Sequence, residues 1–140
     1  MKMVLPVGKK KAWELVATSA GLASWLPVKC SGPVIVGGFL KFGWRGGRSE
    51  KFRVLIIGEK HSSFRMAWRD SAVIRFYLHG RMTTLTVEVH YPDSLEGRAN
   101  QIEELTFWAF HLANLKSVAL GGPDLRHGLR GRTKEEGFID

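Results

Sequence analysis

Cysteine is almost absent from this chain, and other features that mark whole classes of protein are missing. The single cysteine, Cys30, excludes an intramolecular disulfide framework and a zinc site built on cysteine pairs. No segment reaches the roughly 18 apolar residues of a transmembrane helix, and Pro6 and three lysines at 9–11 interrupt the apolar N-terminus. There is no Gly-x-Ser-x-Gly motif and no His-x-x-x-His spacing. We predict a soluble, cytoplasmic protein with no catalytic nucleophile, metal or cofactor.

Positive charge is what the chain has in excess. The 140 residues carry 21 Lys and Arg against 13 Asp and Glu, a formal net charge of +8. Hydrophobic residues make up 44% of the chain, which is enough to bury the core of one domain. The C-terminal residues are glycine-rich and polar, so we predict one domain over 1–126 and a flexible tail over 127–140.

The middle of the chain has the period-two pattern of β-strands. Alternating apolar and polar residues predict strands at 38–44, 49–58, 62–69, 72–79 and 83–91, separated by short turns. Phe52, Val54 and Ile56 are predicted to share one face of the second of these strands. Such strands form an antiparallel sheet with one buried face. A short extended segment at 2–7, helices at 9–18 and 22–26, and a turn region at 28–38 precede them.

A long helix is predicted after the sheet, from residue 98 to residue 120. Asp93 and Glu96 resemble a capping box before it, and Gly121 ends it. The helix is long enough to cover the apolar face of the sheet. Its apolar stripe is predicted to contain Ile102, Leu105, Ala109, Leu112 and Ala113, widened by Trp108, Leu115, Val118 and Ala119.

Several short motifs occur in a characteristic order along the chain. Ala12-Trp13-Glu14-Leu15 is followed by a Gly-Leu-Ala-Ser-Trp-Leu run at 21–26, by Gly37-Gly38-Phe39, and by a strand that ends in Trp68. A threonine-rich strand at 83–87 and a helix containing Trp108, Leu112, Leu115 and Lys116 come later, with Asp124 and Arg126 behind them. This order resembles the START-like (Bet v 1-like, SRPBCC) superfamily, in particular the branch similar to the activator of Hsp90 ATPase.

The resemblance implies an α+β helix-grip fold, a curved antiparallel sheet wrapped around the long C-terminal helix. It also implies a cavity between the two, suited to a lipid-like or aromatic small molecule. Two interpretations stay open: these residues line a cavity that a ligand can enter, or they simply pack as a core, because large aromatic residues also fill ordinary cores. Trp44, Trp68 and Trp108 are expected to border any cavity. The candidate cavity residues are Trp25 at the mouth, Phe42, Trp44, Phe52, Phe64, Met66, Trp68, Phe76, Tyr91, Trp108, Leu112 and Leu115.

The opposite face of the sheet is predicted to be basic. It is either a solvated outer face or a docking surface for an acidic protein, such as the Hsp90-type chaperone that the resemblance suggests. Nucleic acid is disfavoured, because no helix is basic on one side and the aromatic residues point inward. The residues of this face are Lys41, Lys51, Arg53, Arg65, Arg69 and Arg75.

Three functions remain open from the sequence. The first is a non-catalytic domain that binds a hydrophobic small molecule or acts as an Hsp90-activator-like protein. The second is a START-like enzyme of the cyclase or hydratase type, and the third is a protein-docking module. An enzyme needs polar groups close to its substrate, and the predicted inward positions are almost wholly apolar, which favours binding. Glu103 and Glu104 are candidates for acid–base chemistry near a cavity, but their place at the start of the helix favours a role as partners of the helix dipole.

Overall fold

The computed structural model describes residues 2–58, 63–69, 72–79 and 84–128. The predicted turn region contains a three-residue strand that the sequence analysis missed, and residues 129–140 of the predicted tail lie outside the described residues. In chain order the elements are β1 (Lys2–Pro6), α1 (Lys9–Val16), α2 (Ser19–Ala23), β2 (Lys29–Ser31), β3 (Phe39–Gly43), a 3-10 turn (Arg45–Gly47), β4 (Ser49–Ile57), β5 (Ser63–Ala67), β6 (Val73–His79), β7 (Thr84–His90), α3 (Leu95–Glu103), α4 (Leu105–Ala119) and α5 (Leu125–Gly128).

The strands form one antiparallel sheet of seven, in the order β1-β7-β6-β5-β4-β3-β2. The first strand returns to pair with the last, so the N-terminus closes one edge of the sheet. Alternation places Leu40 and Phe42 inside and Phe39 and Lys41 outside. The C-terminal helices lie across the buried face, and the prediction of an α+β helix-grip fold is confirmed.

A β-bulge in β4 changes which side chains face the core. The register between β4 and β5 shifts between Val54 and Ile56. A bulge adds one residue to one strand and so reverses the alternation beyond it. Val54 is buried, whereas Ile56 is exposed and lies opposite Arg65. The prediction that Ile56 shares the face of Phe52 and Val54 is therefore wrong.

The predicted long helix is two helices that meet at Glu104. Ile102 and Leu105 are 74% and 52% exposed, and Ala109 and Ala113 are also exposed, so the predicted apolar stripe is wrong in these four positions. Helix α4 is apolar on nearly every side, and periodicity alone could not identify its buried side. The polar residues Glu104, His111 and Asn114 mark that side, because each finds hydrogen-bond partners inside. The buried residues of this segment are Glu104, Trp108, His111, Leu112, Asn114, Leu115 and Ala119.

The two ends of the helical segment are fixed by side-chain hydrogen bonds. The N-cap is Ser94, whose Oγ accepts from the backbone N–H of Gly97 at 3.0 Å, and Asp93 instead pairs with Arg98. After α4, Arg126 donates to the carbonyl oxygens of Pro27 and, at 2.8 Å, Ala23. These bonds tie the C-terminal segment to the end of α2 and to the loop after it.

Gly21 lies inside α2, which begins at Ser19 and not at residue 22 as predicted. A Cβ at Gly21 would lie 1.7 Å from the carbonyl oxygen of Glu14. We predict that Gly21→Ala lowers the free energy of unfolding by about 2 kcal/mol, because α1 and α2 must separate to admit a methyl group.

Gly8→Ala is the matched control for this prediction, because a Cβ at Gly8 has nothing within 4 Å. In urea denaturation we expect Gly8→Ala to change the free energy of unfolding by less than about 0.5 kcal/mol. Equal losses in the two variants would contradict the close approach of α1 and α2.

Candidate functional site

The residues predicted to line a cavity all belong to the hydrophobic core, in which ten are buried and Trp44 and Tyr91 are partly buried. At one end Phe76 packs edge-on against Trp25, with ring centroids 6.4 Å apart, and stacks on Phe64 at 5.5 Å. Trp25 is fully buried, and its indole N–H donates to the carbonyl oxygen of Leu15 at 3.0 Å. Trp25 therefore belongs to the packed core and not to a mouth.

The other end holds a cluster of large rings that is only partly buried. Trp68 stacks on Phe52, with centroids 4.6 Å apart and planes 14° apart. Trp44 and Phe107 each lie within 6.2 Å of Trp68, and both are half-exposed. Trp108 completes the group at 4.9 Å from Trp68. We call these five rings, together with the Glu50, Arg69, Tyr91 and Glu104 side chains among them, the aromatic cluster.

The guanidinium of Arg69 lies within the aromatic cluster and not on the outer face of the sheet. Its Cζ is 5.3, 5.4 and 5.7 Å from the ring centroids of Trp44, Trp68 and Phe107. It donates to both carboxylate oxygens of Glu50 and lies 3.6 Å from a carboxylate oxygen of Glu104. The strand alternation ends with Trp68, so it could not predict the direction of the Arg69 side chain.

Glu104, at the junction of α3 and α4, accepts hydrogen bonds from three side chains that are distant from one another in sequence. Its Oε2 accepts from the indole N–H of Trp68 at 3.0 Å and of Trp108 at 3.3 Å. It also accepts from the hydroxyl of Tyr91 at 2.5 Å. The helix-dipole role predicted for Glu104 is therefore not its main one, because the carboxylate is buried and bonded to side chains.

Tyr91 is held as a neutral hydrogen-bond donor. Burial, followed by the hydrogen bond to Glu104 and the charge of that carboxylate, raises the pKa of Tyr91 well above its ordinary value of 10.0. The Tyr91 oxygen also accepts from the Trp108 indole at 3.1 Å. The phenol thus bridges the end of the sheet to α4.

His111 is buried next to the aromatic cluster. Its Nδ1 lies 3.1 Å from the carbonyl oxygen of Trp25, and its ring is 4.3 Å from Phe107. Burial, assisted by the positive charges of Arg126 and Arg69, lowers the pKa of His111 from 6.5 to about 4, although the Trp25 carbonyl and Asp124 oppose the shift. The imidazole is therefore neutral at pH 7.

We predict that acid destabilises the protein through His111. Its folded-state pKa of about 4 lies below the ordinary 6.5, so its contribution is present above pH 6.5 and lost as the pH falls toward 4. Urea denaturation at pH 7.0 and 4.5 should show a smaller loss for His111→Gln than for the wild type, by about 2 kcal/mol. The same pH dependence in both proteins would show that His111 is not the titrating group.

The outer face of the sheet does carry a row of cations. Lys41 lies directly opposite Lys51, and Arg65 lies opposite Arg75. Arg53, Lys41 and Lys51 are exposed, whereas Arg65 and Arg75 are half-buried and their Nε atoms have no hydrogen-bond partner among the described residues. We call Lys41, Lys51, Arg53, Arg65 and Arg75 the basic face. Arg69 is not part of it, because its side chain lies in the aromatic cluster. Its docking role stays a prediction.

Other kinds of site find little support in the described residues. Within the ranges given above, no three His, Cys, Asp or Glu side chains are grouped as metal ligands would be. In the same ranges no helix combines the length and the apolar character needed to cross a bilayer.

The sequence analysis missed Glu50 and Phe107 of the cluster and favoured a different role for Glu104. Glu50 lies on the same inward-facing side of β4 as Phe52 and Val54. A carboxylate at an inward position needs a polar partner there, so its position in the strand could have identified it. Glu104 stands one helical turn before Trp108, which also placed it on the buried side. Phe107 had no comparable signal, because α4 is apolar on several sides.

The helix-grip architecture is shared with solved structures of low sequence identity. The protein SSP2350 from Staphylococcus saprophyticus matches with a TM-score of 0.67 and 14% identity, over 91% of this chain and 90% of that chain. The Aha1 dimer from Colwellia psychrerythraea matches with a TM-score of 0.62 and 18% identity, over 85% and 92%. CalU16 from Micromonospora echinospora matches with a TM-score of 0.65 and 17% identity, over 99% and 78%.

These likenesses establish the class of fold and no more than that. No protein-family model matches the chain, and no curated protein matches it. The function must therefore be argued from the residues of the aromatic cluster itself.

Proposed function

We propose that this chain is a non-catalytic domain that binds a small molecule with an aromatic or lipid-like body at the aromatic cluster. The observation that carries the proposal is the half-exposed end of the core, where Trp44 and Phe107 meet the Arg69 guanidinium. Small-molecule sites are typically apolar, with a few polar groups that converge on one point. The START-like resemblance supports the same function.

The architecture gives this site the rigidity that binding requires. Trp44 follows β3, Trp68 follows β5, and Phe107 lies on α4, so three elements each supply one ring. The rings contact one another edge-on or tilted, which fixes their orientation. A flat ligand that enters between α4 and the sheet would meet preformed aromatic walls.

Acid–base catalysis is the second candidate, because Tyr91 and Glu104 form a partly buried hydrogen-bonded pair. A general acid or base works best when its pKa lies near the working pH. The pKa of Tyr91 is raised and that of His111 is lowered to about 4, so both move away from neutrality. These shifts favour binding over a cyclase or hydratase reaction.

Docking of an acidic protein to the basic face is the third candidate. Like charges directly opposite each other destabilise a sheet, so the pair Lys41–Lys51 suggests an anionic partner, whereas Arg75 lies between Arg65 on β5 and Glu88 on β7. The likeness to the Aha1 dimer makes an Hsp90-type chaperone the first partner to test. Reversal of Lys41 and Lys51 to glutamate should abolish such an interaction and leave the aromatic cluster intact.

The binding proposal can be tested with N-phenyl-1-naphthylamine, a neutral probe that fluoresces in apolar surroundings. We expect saturable binding at one site, and a loss of affinity of at least about tenfold in Trp44→Ala, because it truncates an aromatic anchor. Phe39→Ala is the control, since Phe39 is 54% exposed on the outer side of β3.

Two outcomes would overturn the proposal. One is the absence of saturable binding to the folded wild type. The other is binding that Phe39→Ala removes and Trp44→Ala does not. Circular dichroism and thermal unfolding should accompany each titration, and Phe107→Ala provides a second truncation if Trp44→Ala fails to fold.

A further inference from the structure

We infer that the aromatic cluster is a receptor for an organic cation, and that Arg69 occupies it until the guanidinium or ammonium group of a ligand replaces it. The inference rests on the proposed function, because it names the head group of the ligand that this same site would bind. Four observations carry it: the rings around Arg69, the carboxylates beside it, the way its side chain is attached, and the charge of the whole chain.

The first observation is that three rings surround one cation. Trp44, Trp68 and Phe107 all lie with their centroids within 5.7 Å of the Arg69 Cζ. Aromatic rings attract cations through their negative faces, and several rings around one point form the cages that recognise ammonium ligands. The three rings therefore favour a positive group at this point, whether Arg69 or a ligand supplies it.

The second observation is that two carboxylates lie beside the single guanidinium of Arg69. Glu50 binds the guanidinium through both oxygens and Glu104 approaches it at 3.6 Å, so two carboxylates face one cation. If the Arg69 side chain moved out, the rings and both carboxylates would remain, and a ligand cation could take its place. A carboxylate head group would instead meet two charges of its own sign.

The third observation is that Arg69 is held by side chains. Its backbone is fixed in the turn after β5, where its carbonyl accepts from Ala72 N–H at 3.0 Å. Its guanidinium contacts described here are to side chains, and its side chain is 28% exposed. Arg126, by contrast, donates to main-chain carbonyls and is only 15% exposed. Arg69 can thus leave without moving the backbone.

The fourth observation is the contrast between this site and the chain. A formal net charge of +8 attracts anions to the protein as a whole. A preference for cations can therefore come only from the local arrangement around Glu50 and Glu104. This contrast makes the sign of the head group a sharp test.

The test uses three probes with one naphthalene body: 2-naphthylmethylamine, 2-naphthalenemethanol and 2-naphthoic acid. At pH 7 and 0.15 M salt, we expect the amine to bind the wild type at least about tenfold more tightly than the acid, because unlike charges attract at close range. Arg69→Ala should bind the amine about tenfold more tightly still, because the resident cation no longer competes.

Glu50→Gln is the second variant, and Arg98→Ala is the control, since Arg98 lies in an exposed ion pair with Asp93. Glu50→Gln should reduce the preference for the amine to less than about threefold, and Arg98→Ala should leave it unchanged. Binding of the alcohol tests the proposed function separately from the cation preference, because the alcohol has the same naphthalene body as the other probes and carries no charge.

The outcomes separate the two claims. If none of the three probes binds the folded protein, the proposed function fails, and this inference with it. If the alcohol binds but the amine binds no better than the acid, the cation receptor is wrong and the binding site stands. If Arg69→Ala folds and binds the amine no more tightly than the wild type, Arg69 is not the competing occupant.

Discussion

Replacement of Glu104 by leucine should lower the free energy of unfolding by about 3 kcal/mol, because buried polar groups lose an acceptor that nothing replaces. The indole N–H of Trp68 donates to the Glu104 carboxylate at 3.0 Å, and the Arg69 guanidinium lies 3.6 Å from it. The Trp108 indole keeps the Tyr91 oxygen as a partner. Arg69 keeps Glu50 as its partner, whereas the Trp68 indole and the Tyr91 hydroxyl, which donates to Glu104 at 2.5 Å, lose their acceptor. Most of the loss should therefore come from Trp68 and Tyr91. Urea denaturation at pH 7 measures it.

Glu103→Leu is the matched control for this prediction. Glu103 is the last residue of α3, has the same side chain and is exposed. Its replacement should change the free energy of unfolding by less than about 0.5 kcal/mol. If Glu104→Leu and Glu103→Leu destabilise the protein equally, Glu104 does not join the sheet to α4 as described.

The second large effect is expected at Arg126. Its guanidinium binds the carbonyl oxygens of Pro27 and Ala23, and it pairs with Asp124. Arg126→Ala removes the guanidinium that pairs with the half-buried Asp124 carboxylate, and it removes both links to the chain before β2. We expect a loss of about 3 kcal/mol in the free energy of unfolding, because removing one partner of a largely buried ion pair is strongly destabilising.

The pH dependence of stability gives this prediction a second measurement. Burial opposes ionisation of Asp124, but the hydrogen bonds and charge of Arg126 outweigh it and lower the pKa of Asp124 from 3.8 to about 2. Its contribution is therefore present above pH 3.8 and lost as the pH falls toward 2. Arg126→Ala should reduce that acid-dependent loss, because the guanidinium is removed while the backbone N–H of residue 126 and the Asn114 amide still donate to Asp124.

Arg98→Ala is again the control, because the Arg98–Asp93 pair is exposed and such pairs contribute less than about 1 kcal/mol. If Arg126→Ala is as stable as Arg98→Ala, or keeps the wild-type acid profile, the role assigned to Arg126 is wrong.

Strand alternation was sufficient to predict the sheet and its inner face. Leu40, Phe42, Phe64 and Met66 are buried as their positions predicted, because side chains of a strand alternate between two faces and one face must leave water. The rule failed at Ile56, where a bulge inserts one residue. Nothing in the run of β-branched and apolar residues around Ile56 marks that insertion.

Helical periodicity was a poorer guide to the buried side of α4. Ile102 and Leu105 are exposed although apolar, whereas Glu104 and His111 are buried although polar. Tertiary hydrogen bonds to Trp68, Trp25 and Tyr91 decide this outcome, and those partners are distant in sequence. Most aromatic members of the candidate site could be predicted, and the positions of Glu50 and Glu104 were readable from register and helical spacing. Phe107 and the orientation of Arg69 could not be assigned without the fold.

The five tryptophans provide the most direct test of the binding site, because their indole N–H groups occupy different places. The Trp44 indole donates to Glu50, and those of Trp68 and Trp108 donate to Glu104. The Trp25 indole donates to Leu15 in the packed core. In a ¹⁵N-edited NMR titration with 2-naphthylmethylamine, we predict saturable shifts of the Trp44, Trp68 and Trp108 indole signals, while those of Trp13 and Trp25 stay in place. Saturable binding that moves only Trp13 or Trp25 would contradict the account.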